Sequence, residues 1–177
     1  MTELSDSQRR ALEAAGCEVR SDRLTRCLYA VDASIYRVEP AAVAFPRSAA
    51  EAARLLAAAA ENGIEITPRG AGTGLTGGAL GSGLVVDFAR HNRRISDLDL
   101  EGGTVRVGAG VVLDQLNAHL APHGLWFGPD VATSSRATLG GMIANNSSGA
   151  YAPVYGTTAD HLAAVEVVLA DGTVAMV

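Results

Sequence analysis

A glycine-rich segment carries the strongest chemical signal in this sequence. Seven glycines fall within fourteen positions, from Gly70 to Gly83, directly after a short apolar run. Such a segment cannot form the interior of a helix or a strand, and it lets backbone N–H groups converge without intervening side chains, which favours phosphate binding. Arg69 lies beside it and can add positive charge. A flexible linker is the alternative interpretation, but larger residues such as Thr73 and Leu75 interrupt the run.

The same segment also matches the dinucleotide-binding pattern G-x-G-x-x-G between Gly72 and Gly77. That pattern must open a helix to bind a pyrophosphate in the Rossmann manner. The glycines that follow would break a helix, so we expect a different way of holding a pyrophosphate.

A second polar segment runs from Phe127 to Gly149 and is rich in hydroxyls, amides and glycines but poor in ionisable groups. Side chains of this kind exchange hydrogen bonds without adding much charge, which suits a polar cofactor better than acid–base catalysis. Gly140 and Gly141 would allow close backbone approach at the start of a helix. A capped loop that only connects two elements is an equally open interpretation.

Composition excludes several classes of function. Hydrophobic residues make up 48% of the 177 residues and charged residues 19%, which argues against disorder. The net charge of −5 and the 5% aromatic content argue against nucleic-acid binding. All fourteen basic residues are arginine, so a Walker A loop and lysine Schiff-base chemistry are both excluded.

No catalytic residue and no metal ligand is predicted. Cys17 and Cys27 are too few for a disulfide framework or a closed zinc site, and they indicate ordinary thiols in a reducing compartment. The four histidines are expected to have surface or capping roles. With a polar N-terminus and no apolar run of about 20 residues, a cytoplasmic protein without a transmembrane segment is expected.

Alternating patterns predict the elements that must position the two segments. The first half should contain a helix over residues 5–16, strands over 41–45, 64–67 and 83–87, and a helix over 48–62 that opens with a capping box. Residues 18–40 should be irregular, with Tyr29, Ile35 and Tyr36 as packing anchors.

The second half should contain strands over 104–107 and 125–127, helices over 111–123 and 138–145, and a hairpin that turns at Asp171-Gly172. We therefore predict a lead-in over residues 1–40, a first lobe over 41–92 and a second lobe over 93–177. The final residues are apolar and strand-like, so we expect the second lobe to be incomplete and the chain to be part of something longer.

Taken together, the motifs resemble a known family. The stretch Pro68-Arg-Gly-Ala-Gly-Thr-Gly-Leu75, followed by Pro129-Asp and by Ala137-Thr-Leu-Gly-Gly-Met-Ile-Ala-Asn-Asn146, is similar to the FAD-binding domain of the vanillyl-alcohol oxidase and p-cresol methylhydroxylase superfamily. The resemblance is closest to the glycolate oxidase and D-lactate dehydrogenase branch, in members where an iron–sulfur domain follows the flavin domain. Tyr155-Gly-Thr-Thr-Ala-Asp160 and other flanking motifs extend it over residues 30–172.

The resemblance implies a two-lobed α+β fold, with FAD between a small parallel α/β lobe and a larger, mainly antiparallel lobe with helices. It also implies that backbone amides of the glycine-rich segment wrap the pyrophosphate. Non-covalent FAD is expected, because Thr73 and Ser134/Ser135 stand where some members carry the His or Cys that links the flavin. The implied cofactor-binding residues are Pro68, Arg69, Gly70, Ala71, Gly72, Thr73, Gly74, Leu75, Pro129, Asp130, Thr133, Ser134, Ser135, Thr138, Gly140, Gly141, Asn145, Ser148, Gly149 and, near the adenine, Val167.

The function implied is that of a flavin-dependent oxidoreductase that oxidises a D-2-hydroxy acid of the lactate, glycolate or 2-hydroxyglutarate type. The catalytic base, the substrate pocket and any iron–sulfur cluster would lie in a missing C-terminal region or a partner, so this chain alone should be inactive. The complete enzyme could be peripheral to the inner membrane. Two alternatives remain: a stand-alone nucleotide- or FAD-binding module without catalysis, and a phosphate-binding domain without redox function.

Overall fold

The computed structural model describes residues 3–177 and shows a mixed fold of helices and small sheets. The first half forms a four-stranded sheet in the order β1-β2-β4-β3, with β1 antiparallel to β2 and the other neighbours parallel. Its strands are β1 (Glu18–Arg20), β2 (Ala42–Phe45), β3 (Ile66–Arg69) and β4 (Leu84–Asp87), and its helices are α1 (Asp6–Ala14), α2 (Arg23–Tyr29) and α3 (Ala49–Glu61).

Both faces of this sheet are covered. Leu12 of α1 and Leu55 of α3 pack on one face against alternate residues of β2 and β4, including Leu84. The other face packs Val43, Phe45 and Val85 against Tyr29 of α2. The buried residues of β2 and β4 are apolar except for Asp87. Because β2, β4 and β3 are parallel, their carboxyl ends lie at one common edge of the sheet.

The second half contains two antiparallel pairs, β5–β6 and β7–β8, and a core built around α4. The elements are β5 (Ile95–Asp99), β6 (Thr104–Val107), α4 (Leu113–Leu120), α5 (Leu139–Ala144), α6 (Ala152–Tyr155), β7 (Glu166–Val168) and β8 (Val174–Met176), with short 3₁₀ turns at Ala121–His123 and Ala159–His161. The β7–β8 hairpin packs on α3 of the first half, where Gly172 lies against Ala53 and Ala57.

The element predictions are confirmed for α1, α3, the three parallel strands and the terminal hairpin. The stretch predicted as irregular instead supplies β1 and α2, and only Tyr29 of its three expected anchors is packed, since Ile35 and Tyr36 are exposed. The capping box of α3 is half formed: Ser48 accepts from the Glu51 amide, but the Glu51 carboxylate accepts from Arg47 N.

Three features of the second half differ from the prediction. Residues 125–127 form no strand, because Phe127 N donates to the side chain of Asn117 rather than to a neighbouring strand. The antiparallel strand β5 was not predicted. The helix expected over residues 111–123 is shorter, since it ends at Leu120 and continues as a 3₁₀ turn. The division at residues 40 and 92 stays a prediction.

Candidate functional site

The glycine-rich segment lies at the carboxyl end of β3, on the edge of the parallel sheet where ligands of such sheets bind. Within residues 3–177, the backbone amides of residues 71–78 donate no hydrogen bond to any acceptor. Such a run of unengaged amide donors on a half-exposed loop carries partial positive charges of the kind that binds anions.

The segment before β2 forms one wall of this glycine loop. Ala33 N donates to the carbonyl of Gly72 at 2.9 Å, and the ring of Tyr36 would lie 2.9 Å from a Cβ added at Gly77. Asp32 in the same wall accepts from Ser34 N through Oδ1, whereas its buried Oδ2 has no partner within the described chain. The loop is therefore held between the sheet edge and residues that sequence reasoning left outside the site.

Arg69 does not present a free charge to the loop, which differs from the expectation. Its Nη2 donates to the carbonyl of Val31 at 2.8 Å, and its Nη1 lies 3.4 Å from the carbonyl of Tyr29 and 3.3 Å from that of Ala79. The guanidinium is stacked over the Tyr29 ring, 5.2 Å from its centroid. The side chain is thus committed to the backbone that surrounds the loop.

Tyr29 is fixed in turn by the end of β4. Its hydroxyl donates a short hydrogen bond to the buried carboxylate of Asp87, which also accepts from Ala89 N at 2.6 Å and from Arg90 N at 3.2 Å. Burial first, and then the hydrogen bond to Asp87, raise the pKa of the Tyr29 phenol, so the phenol stays protonated as a donor. The sequence indicated Tyr29 only as a packing residue and did not indicate Asp87.

The two polar segments meet at Gly70 and Thr138. A Cβ added at Gly70 would overlap Thr138 Oγ1 and lie 3.8 Å from Gly141 Cα. Thr138 is buried, and its hydroxyl caps α5 by accepting from Gly141 N at 3.4 Å. The glycine loop and the start of α5 are therefore in direct contact, as a shared binding site requires.

Gly140 has a structural reason for being glycine. A Cβ there would lie 2.8 Å from the Cβ of Ala109, and Gly140 N donates to the Ala109 carbonyl at 2.8 Å. Leu139 N likewise donates to the carbonyl of Val111. The first amides of α5 are thus engaged within the lobe.

Gly149 lies directly against Asp130 within the second polar segment, because a Cβ at Gly149 would overlap the backbone of Asp130. Pro129, Asp130 and Ser134 line a cleft of about 420 Å³ together with aromatic residues, among them Trp126 and Tyr151. Ser134 O accepts from Asp114 N at 3.2 Å, which ties this stretch to α4. A cleft with aromatic walls and a few polar groups suits a flat, polar-edged ligand.

The remaining candidate residues do not all lie in the same place. Thr133 accepts through its carbonyl from Arg136 N and Ala137 N in the turn before α5, and Asn145 ends that helix. Ser135, Asn145 and Ser148 are exposed on the second segment. Val167 lies apart on β7, whose contacts are with β8 and α3. The structure therefore joins the two main segments but does not bring Val167 to them.

A cluster of basic side chains surrounds Glu18 at the same end of the sheet. The Glu18 carboxylate lies 2.7 Å from Arg20 Nη2, 3.6 Å from Arg47 Nη2, and 3.5 Å from both Arg90 Nη1 and His91 Nε2. Burial opposes ionisation of Glu18, but hydrogen bonds from Arg20 and His91 and the charge of Arg90 keep its pKa below the ordinary value. This cluster connects β1 to the loops after β2 and β4.

Two negative findings apply to residues 3–177. No helix there is long and apolar enough to span a membrane. No group of three or more histidine, cysteine, aspartate or glutamate side chains in that range could hold a metal ion.

Comparisons with known proteins agree with this geometry. The family model described as FAD binding domain matches residues 40–177. The chain is 48% identical over 157 residues to D-2-hydroxyglutarate dehydrogenase of Escherichia coli, covering 87% of this chain and 15% of that protein. It is 36% identical over 174 residues to glycolate oxidase subunit GlcD of Bacillus subtilis, covering 96% of this chain and 37% of that subunit.

The fold matches solved structures as well. The wild-type BBE-like 1 protein of Physcomitrella patens superposes with a TM-score of 0.84 at 22% identity, covering 96% of this chain and 37% of that one. The chain spans well under half the length of the relatives it matches. Its two-lobed α+β architecture, its glycine loop and the matched range agree, and the chain belongs to the FAD-binding domain family.

Proposed function

We propose that the glycine loop and the second polar segment together bind FAD, and that the chain is the FAD-binding part of a flavin-dependent oxidoreductase. The observation that carries this proposal is the run of amides at residues 71–75, which have no acceptor within residues 3–177. A pyrophosphate would supply acceptors for such a run, and the contact between Gly70 and Thr138 supports continuation of the ligand towards the second segment.

The residues of the chain fit this cofactor. Around Gly74 and Gly78, a Cβ would meet no atom within 4 Å, so the loop leaves open space on its surface. Residues 69–75 would wrap the pyrophosphate through backbone amides, and Pro129, Asp130 and Ser134 would orient the flavin within the cleft that they line. Val167 remains a candidate for contact near the adenine. When bound, the flavin supplies the redox chemistry by accepting a hydride.

We propose that FAD is held without a covalent bond, since Thr73 and Ser134 offer no imidazole or thiol for attachment. Precipitation of the loaded protein with acid tests this: non-covalent FAD is released into the supernatant, whereas a linked flavin stays in the pellet.

We further propose that the intact enzyme oxidises a D-2-hydroxy acid to the 2-oxo acid. The support is the names of its relatives, a D-2-hydroxyglutarate dehydrogenase and a glycolate oxidase subunit. An iron–sulfur acceptor in another region or subunit is part of the same proposal, as is a cytoplasmic setting, which the unpaired thiols of Cys17 and Cys27 fit. Anaerobic bleaching of the flavin by D-lactate, glycolate or D-2-hydroxyglutarate, and not by L-enantiomers, tests the substrate class in the intact protein.

Flavin retention in a pair of glycine variants tests the loop itself. Gly74→Val and Gly78→Val both place a side chain in open space at negative φ, so both should fold as the parent does. Only Gly74 lies within the proposed pyrophosphate segment. After incubation with FAD and desalting, we expect the parent and Gly78→Val to keep the visible flavin bands and Gly74→Val to lose them.

Circular dichroism of each variant serves as the folding control. Full flavin retention by a correctly folded Gly74→Val protein would show that this loop does not hold the cofactor.

A further inference from the structure

We propose that Arg69 is a positioning residue of the glycine loop and not a ligand of phosphate: its guanidinium ties three backbone carbonyls together behind the loop and holds the amides in place before any ligand arrives. The inference rests on the proposed function only for the identity of the ligand. The positioning role of Arg69 follows from the geometry of the loop without ligand.

The three carbonyls belong to different parts of the site. Val31 and Tyr29 lie on the wall that precedes β2, and Ala79 lies at the far end of the glycine loop. Arg69 itself ends β3, from which the loop departs. A single planar group thus connects the start of the loop, its far end and its wall, which only a side chain with several donors in a fixed fork can do.

The guanidinium also lies on the side of the loop that a side chain would occupy. A Cβ added at Gly72 would lie 2.7 Å from Arg69 Nη2 and 3.0 Å from its Cζ. Gly72 has φ +67°, a conformation that other residues rarely adopt. Because Gly72 has no Cβ, the Arg69 guanidinium can pack against one side of the loop while the backbone amides stay free of intramolecular acceptors.

The arginine has a rigid support. Its guanidinium rests on the Tyr29 ring, and the Tyr29 hydroxyl is bonded to the buried carboxylate of Asp87 at the end of β4. The edge-to-face contact between Tyr29 and Phe45 fixes the ring from β2. This chain of contacts links two central strands to the loop and would hold a segment with seven glycines in one conformation.

Two substitutions at Arg69 separate positioning from direct binding. Arg69→Lys keeps the charge but lacks the planar fork that places donors on two separate nitrogens, and Arg69→Gln removes the charge as well. If Arg69 positions the loop, both variants should weaken FAD binding to a similar extent. If it binds phosphate directly, Arg69→Lys should keep most of the affinity.

Hydrogen exchange in the protein without FAD provides a readout that does not depend on the cofactor. Ala33 N donates to the carbonyl of Gly72 and Leu80 N to that of Gly77, so these two amides report the order of the loop. We expect both to exchange ~10-fold faster in Arg69→Lys, because opening of the loop becomes less costly. Arg54→Lys is the matched control, since Arg54 Nε also donates to a backbone carbonyl, that of Ala15, away from the loop.

Faster exchange at both reporters, with equal losses of FAD affinity in the Lys and Gln variants, is the expected result. Unchanged exchange at Ala33 and Leu80 would overturn the inference, and so would an FAD affinity of Arg69→Lys close to that of the parent. If the parent binds no FAD, the proposed function fails, while the exchange rates still decide the role of Arg69.

Discussion

The contact between Gly70 and Thr138 joins the two halves of the proposed site, and its energy can be measured. A Cβ at Gly70 would overlap Thr138 Oγ1, so Gly70→Ala forces the buried hydroxyl away from the Gly141 amide that it caps. Loss of such a cap costs about 1 kcal/mol. Crowding of a packed site adds about 1–3 kcal/mol, so the free energy of unfolding should fall by about 2–4 kcal/mol in total.

Removing the hydroxyl should relieve this crowding. Thr138→Ala alone loses the cap, about 1 kcal/mol. In the double variant the new methyl group meets no Oγ1, and its next neighbours, the retained Cβ of residue 138 at 3.5 Å and Gly141 Cα at 3.8 Å, are at ordinary contact distances. We therefore expect the double variant to be about as stable as Thr138→Ala, which corresponds to a coupling energy of about 2–4 kcal/mol.

Urea unfolding followed by far-ultraviolet circular dichroism gives the four stabilities of this cycle. Gly81→Ala is the control substitution, because its Cβ would overlap Thr67 Oγ1 instead. Combined with Thr138→Ala, it should show additive losses. Additivity in the Gly70 cycle as well would refute the direct contact between the glycine loop and the start of α5, and with it the geometry on which the proposed site depends.

Two further predictions concern the supports of the site. Tyr29→Phe should lower the free energy of unfolding by about 1.5–3 kcal/mol, because the buried Asp87 carboxylate loses the phenol that donates to it. Tyr36→Phe, at an exposed residue, should change it by less than about 0.5 kcal/mol. Urea unfolding checks both values. The lowered pKa of Glu18 stabilises the fold above its ordinary pKa of 4.5, and this contribution is lost as the pH falls through the lower value in the folded protein. In an acid titration, Glu18→Gln should therefore lose less stability below pH 4.5 than the parent does, and parallel curves would contradict the assigned role of the cluster.

The local elements of the fold could be predicted where one residue pattern decides the outcome. Ser48 before an alanine-rich run predicted the start of α3, and Asp171-Gly172 predicted the turn between β7 and β8. Strand β5 was missed because it is irregular: its pairing shifts register between Ser96 and Asp99, and Asp97 has a positive φ of 53°. Such a strand is defined by its partner β6 and not by its own alternation.

The candidate site was predictable in its parts but not in its assembly. The two segments could be identified from the sequence, because their glycine, hydroxyl and amide residues by themselves indicate which hydrogen bonds they can make. The meeting of Gly70 with Thr138, and the use of Tyr29 and Asp87 as supports, depend on contacts between distant parts of the chain. Arg69 shows the limit most clearly, because its charge suggested a ligand contact and its actual partners are backbone carbonyls.

The arrangement around Arg69 answers a conflict within the glycine loop itself. Amides can converge on an anion only where side chains are absent, yet glycine loses more conformational freedom on ordering than any other residue. If that ordering occurred on binding, its cost would be subtracted from the affinity for the ligand. Three hydrogen bonds from one arginine, whose support is Tyr29, shift the ordering to the folding step, where burial of the sheet offsets it. The glycines give the ligand access to the backbone amides. Because the arginine orders these amides before binding, the entropy cost of ordering them does not reduce the affinity for the ligand.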